Sequence, residues 1–169
     1  MTSPPEAWLR GPIPGVDPLL QPAAHALVEA RENLERLLPD LERVELWQRP
    51  GGAASIGFHL RHAAGALDRL FTYARGETLN GEQKAALGLE RMDRDDSVDA
   101  RGLVSLVHST IDRALDQLRA TGAPAILDAR AVGRAALPSN VLGLLFHGAE
   151  HTTRHVGQIV TTVKVLRES

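Results

Sequence analysis

Between Val98 and Ala120 the apolar residues Leu103, Leu106, Val107, Ile111, Ala114, Leu115 and Leu118 recur at intervals of three and four, and the run stops at Gly122. That spacing keeps them on one stripe of an α-helix and does not fit the period-two alternation of a half-buried strand. The same period returns three times. A first helix, from Leu19 to about Leu38, carries Ala23, Ala24, Leu27, Ala30, Leu34, Leu37 and Leu38, and Pro39 should stop or kink it. A second carries Ile56, Leu60, Ala63, Leu67, Leu70, Phe71 and Ala74, with Ser55 as N-cap and Gly76 as its stop. A fourth, from about Asn140 to Arg167, carries Val141, Leu145, Ala149, Thr152, Val156, Ile159 and Val163, with Ser139 as its cap. Four long amphipathic helices without a convincing run of alternating strands predict an all-α four-helix bundle.

The segments between these helices set the expected topology. Met1 to Pro18 holds Pro4, Pro5, Pro12, Pro14 and Pro18, which remove backbone donors too often for a helix or a central strand, so residues 1–18 are expected to be an irregular lead-in. Residues 19–169 then form a single helical domain, as suits a chain of 169 residues with 43% hydrophobic and 24% charged side chains. Gly76 to Ser97 is polar and makes a long crossover between the second and third long helices, with one short helix around Glu82 to Leu87. Its Asp93, Asp95 and Asp96 are expected to be solvated. Ala123 to Pro138 is less periodic and reads as an extended or turning link. Phe58, Phe71 and Phe146 fall in apolar stripes and are expected to pack in the core.

Several function classes are disfavoured by composition. The net charge is -2, with no run of basic residues long enough to track a phosphate backbone, so nucleic acid is a poor partner. There is no cysteine, which removes disulfides, thiolate ligands and a cysteine nucleophile together; thiol chemistry would need a thiol from outside. Neither a secretory signal nor a membrane anchor is read at the N-terminus, and no eighteen apolar residues follow one another, so a cytoplasmic protein is expected. No GxGxxG or phosphate loop implies a nucleotide.

The seven histidines carry the chemistry. His147, His151 and His155 lie four apart on the fourth helix and share a face beside its apolar stripe. Two imidazoles at i and i+4 have Cβ atoms about 5–6 Å apart and can reach one divalent ion. A third ligand would come from His59 or His62 on the second helix, or His108 on the third. Thr152, Thr153 and Arg154 separate His151 from His155, so the glutamate of the HExxH protease motif is missing. Glu150 either orients a ring or is a solvated acid. On pattern alone the row is equally at home as hydrogen-bonded core or surface histidines.

Two stretches of residues resemble a known family. Ser55-Ile-Gly-Phe-His59-Leu-Arg-His62-Ala-Ala-Gly-Ala-Leu-Asp68 followed by Gly76, and His147-Gly-Ala-Glu-His151-Thr-Thr-Arg-His155-Val-Gly-Gln158, are similar to the signatures of the DinB/YfiT-like metalloenzyme superfamily. The resemblance implies a four-helix bundle in which His62, His151 and His155 bind a divalent metal, with His147 and His59 nearby. Relatives often carry arginine after the last histidine; Val156 stands there in this chain, which takes that arginine's role away. Three neutral imidazoles suit zinc or nickel. The resemblance further implies a small-molecule substrate, a thiol-dependent S-transfer using a low-molecular-weight thiol, and a homodimer. The alternatives are a metal-dependent hydrolase, with His147 or Glu150 as proton acceptor, and a non-enzymatic, stress-related metal-binding bundle.

Overall fold

In the computed structural model, which describes residues 5–168, the periodic segments are helices α1 (Gln21–Leu41), α2 (Ile56–Ala74), α4 (Ala100–Ala120) and α5 (Val141–Glu168), with a short α3 (Gly81–Leu89) in the crossover. The α2 N-cap is the expected Ser55, whose side chain accepts from the Phe58 N–H at 3.2 Å. Gly76, at φ +77°, ends α2 in the left-handed conformation that glycine adopts without a Cβ penalty. The fourth long helix is capped by Asn140 and not by Ser139: Asn140 Oδ1 accepts from the Gly143 N–H at 2.7 Å. Pro39 does not end α1. The helix carries on for two residues because Leu41 is fully buried and the Glu42 N–H closes onto Leu38 O at 3.0 Å.

The four long helices pack in a ring, α1 and α2 each lying against both α4 and α5. Leu27 and Leu34 of α1, Leu60 and Leu67 of α2, Val107 and Ile111 of α4, and Leu145 and Ile159 of α5 fill the centre. Leu106, one residue off the α4 stripe, is exposed. So is Phe146, at 54%, because it stands about 100° round the helix from Leu145 and opens onto a groove with Leu19 and Leu142. Phe71 is buried as expected, whereas Phe58 is only half-buried.

The link after α4 is a two-stranded antiparallel hairpin, β1 (Ala129–Val132) and β2 (Leu137–Asn140), in which Ala129 faces Asn140. It is tied to the end of α2, where Arg130 Nε donates to Ala74 O at 2.8 Å. The lead-in is more ordered than its prolines imply. Its described part makes 3-10 turns at Ala7–Arg10 and Pro18–Leu20; the Ala7 N–H donates to Glu29 of α1, and the Gln21 side chain grips the backbone of Ile13 and Val16. Residues 1–4 of the expected lead-in, Pro4 among them, and Ser169 lie outside the described residues.

Helices α2 and α5 come close together at Gly148. A Cβ at Gly148 would come within 2.9 Å of the Phe71 ring, whereas one at Gly157 would meet open space. Alanine gains about 1 kcal/mol over glycine in a helix, and overpacking costs about 1–3 kcal/mol. Gly157→Ala is therefore expected to raise stability by up to about 1 kcal/mol, and Gly148→Ala to lower it by up to about 2 kcal/mol. Urea titrations of the two variants check both signs.

Candidate metal centre

The cap at Ser55 fixes the register of α2 so that His59 and His62, about one turn apart, both face α5. Opposite them stands the histidine row, which is not uniform. Each step of four residues drifts by about 40° round the helix. His155 is consequently buried beside the core at 8% exposure, His151 is half-buried, and His147 looks out to solvent with 52% of its side chain exposed.

His62, His151 and His155 converge. His151 Nε2 lies 3.0 Å from His62 Nε2 and 3.1 Å from His155 Nε2. Each Nε2 offers one hydrogen or one lone pair in its ring plane, so His151 can make a linear hydrogen bond to only one of its two neighbours. Nitrogens bound at about 2.0–2.1 Å to a single ion stand about 2.8–3.4 Å apart, from right-angle to tetrahedral geometry. Both observed separations fall in that range, and the three residues form a group able to hold one metal ion.

Hydrogen bonds at the back of two rings fit the same use. His62 Nδ1 lies 2.8 Å from Glu90 Oε2; a carboxylate only accepts, so Nδ1 carries a hydrogen, and the tautomer with its one hydrogen there has its Nε2 lone pair toward His151. His155 Nδ1 lies 2.9 Å from His59 Nδ1, one of the two donating. Glu90 itself is buried, and Arg69 donates to it at 2.5 and 3.2 Å. It occupies the space a side chain at Gly65, three residues after His62, would fill, so that glycine makes room for the carboxylate.

A model of the DinB superfamily matches residues 26–159 of the chain. The protein belongs to the DinB superfamily. No curated protein matches it. The match covers all three converging histidines and both signature stretches.

The environment of this DinB-type cluster favours the neutral form of His155, His151 and His59, the form in which an imidazole ligates a metal. Burial, then the neighbouring His151, His62 and His59, pushes His155 down to about 3. His151 is lowered by burial and by His62, and His59 by burial and by His62. Burial works to raise the Glu90 carboxyl, but hydrogen bonds and charge from His62 and Arg69 outweigh it and hold Glu90 below the ordinary carboxylate range.

The remaining candidates separate clearly. His108 lies on α4 away from the cluster, its Nε2 buried without a partner and its pKa lowered by burial. Glu150 orients no ring of the cluster: Arg154 donates to it at 2.7 and 2.8 Å, and His147 stands 3.5 Å away. The crossover acids are not all solvated, because Asp95 pairs with the buried Arg61, whose guanidinium lies 5.0 Å above the Trp47 ring. Glu90, the partner of His62, has no signature in the sequence; it follows a short helix in a polar segment with no periodic face. Phe58 stacks on His62 with ring centroids 5.2 Å apart and, with Glu90, lines a cavity of about 300 Å³ whose other lining residues include Arg49, Ser55 and Met92 but none of the three histidines.

Among the described residues no helix is long and apolar enough to cross a membrane.

Proposed function

We propose that this DinB-superfamily chain binds one divalent metal ion through His62, His151 and His155 and acts as an enzyme on a small molecule, by a thiol-dependent S-transfer. The observation that carries the metal is that His151 Nε2 lies 3.0 and 3.1 Å from the Nε2 atoms of His62 and His155, with one ligand atom of each of the three residues within 4.8 Å of the others. Zinc and nickel suit a set of three imidazoles. Such a set contributes no negative charge, so the bound ion keeps its full charge and lowers the pKa of a thiol or water that reaches it. The chain has no cysteine, so the thiol comes from solution. Phe58 shields one face of His62, and Phe58 and Glu90, which both touch His62, also line a cavity with room for a small molecule, although none of the three histidines is in its lining. The four long helices are, on this reading, the family's bundle.

Hydrolysis is the weaker reading, because the Glu150 carboxylate is engaged by Arg154 and held below its ordinary pKa chiefly by that hydrogen bond, which makes it a poor proton acceptor. The test uses protein purified without nickel resin and loaded with cobalt(II). About one ion per chain and a visible spectrum that shifts on adding a small thiol are expected. A spectrum indifferent to every thiol tried sinks the S-transfer, and a protein that takes up no ion sinks the metal.

A further inference from the structure

We infer that Glu90 is a positioning residue for the metal centre, holding His62 in the tautomer and orientation that aim its Nε2 at His151 and His155. The inference rests on the metal-binding reading above and adds to it a residue outside the histidine set. Three observations converge on it. The Glu90 carboxylate is 6% exposed and sits 2.8 Å from His62 Nδ1, so it takes the ring hydrogen that would otherwise compete for the ligating face. Arg69, itself largely buried, donates to both carboxylate oxygens and fixes their direction. Gly65, one turn from His62 on the same helix, leaves the space into which that carboxylate fits.

Glu90 is not on α2 or α5 but at the end of α3, in the crossover. Docking of that crossover and orientation of His62 are therefore one event. A carboxylate behind a ligating histidine raises the basicity of the ring, and loss of such a partner costs about 10–100-fold in metal affinity.

A structural ion pair between Glu90 and Arg69 would explain the same burial, so the test removes that pair equally in two variants. Arg69→Met with Glu90→Gln keeps an amide oxygen that accepts from His62 Nδ1. Arg69→Met with Glu90→Leu keeps the volume and removes the acceptor. Zinc affinity is measured by competition with a chromophoric chelator, beside the wild type and His62→Ala. In the metal-free proteins, nitrogen-15 NMR of the imidazoles reads the His62 tautomer.

The expected result is that the leucine variant binds zinc about tenfold or more weakly than the glutamine variant, and that its His62 loses the preference for hydrogen on Nδ1. Equal affinities in the two variants, with His62→Ala far weaker, overturn the positioning role and leave the metal reading standing. A wild type that binds no zinc overturns both. If the leucine variant does not fold, Glu90→Gln alone serves: a His62 ring still held with hydrogen on Nδ1 supports the role, and a mixed tautomer overturns it.

Discussion

Replacing His151 with alanine should remove most of the protein's affinity for zinc while leaving the metal-free fold intact. His151 is the shared corner of the cluster, its Nε2 within 3.0 Å of His62 Nε2 and 3.1 Å of His155 Nε2, so its loss leaves two ligands with nothing between them. Structural zinc sites bind with about 10–16 kcal/mol spread over four ligands, or about 2.5–4 kcal/mol for each. One ligand is thus worth about a hundredfold to a thousandfold in dissociation constant. In the metal-free protein alanine removes one Nε2 hydrogen bond, worth about 0.5–1.5 kcal/mol, together with the buried His151 Nδ1 that has no partner, so the two effects offset and the net change in stability is small. The measurement is a pair of thermal melts, with and without zinc. At zinc about a hundred times its wild-type dissociation constant, the wild type gains about 2.7 kcal/mol and the variant almost none. His108→Ala is the control, since His108 is a partly buried histidine outside the cluster and its loss should leave the zinc-dependent shift unchanged. An undiminished shift in His151→Ala would mean that zinc binds elsewhere.

The helices and the three converging histidines were legible because both follow from period. A stripe at intervals of three and four is a local property, and so is the sharing of a face by residues four apart. The drift of about 40° per step was equally available, and it separates buried His155 from exposed His147 before any tertiary contact is known. What stayed hidden depends on where nonperiodic segments come to rest. Glu90 and Asp95 lie in a polar crossover whose composition matches that of solvated loops, yet Asp95 meets the buried Arg61 and Glu90, itself buried, meets His62 and Arg69, all on α2. Arg61 belongs to the same class, since a charged residue on an apolar face shows its role only when its counter-ion is placed. Single positions were misread where one term outweighed another. Pro39 forfeits one helical hydrogen bond, but the burial of Leu41 carries α1 past it. Phe146 is as apolar as its neighbours and still faces solvent, because its angle on α5, not its hydropathy, decides what it meets.

Acid should destabilise the metal-free protein well above the range in which carboxylates titrate. In the unfolded chain a histidine takes up its proton near pH 6.5, whereas in the fold burial and the other rings hold His155 down to about 3. Between those two values the unfolded state binds a proton that the folded state refuses, so falling pH favours unfolding. The stability contributed by the neutral ring is full above about pH 6.5 and is lost progressively as pH falls toward about 3. The slope is about 1.4 kcal/mol per pH unit for one such group, so His155 alone accounts for about 3 kcal/mol by about pH 4.5. His59 and His151 shift in the same direction and add to the slope. Glu90 joins later: its lowered carboxyl contributes stability that is present above its ordinary pKa and lost below it, so it steepens the fall only at the acid end. Urea denaturation of metal-stripped protein at about pH 7 and about pH 5 measures the difference. His155→Gln replaces the ring with a side chain that does not titrate, and its stability should fall by about 2 kcal/mol less over that interval than the wild type's. Parallel curves for the two proteins would show that the acid sensitivity comes from elsewhere than the buried end of the histidine row.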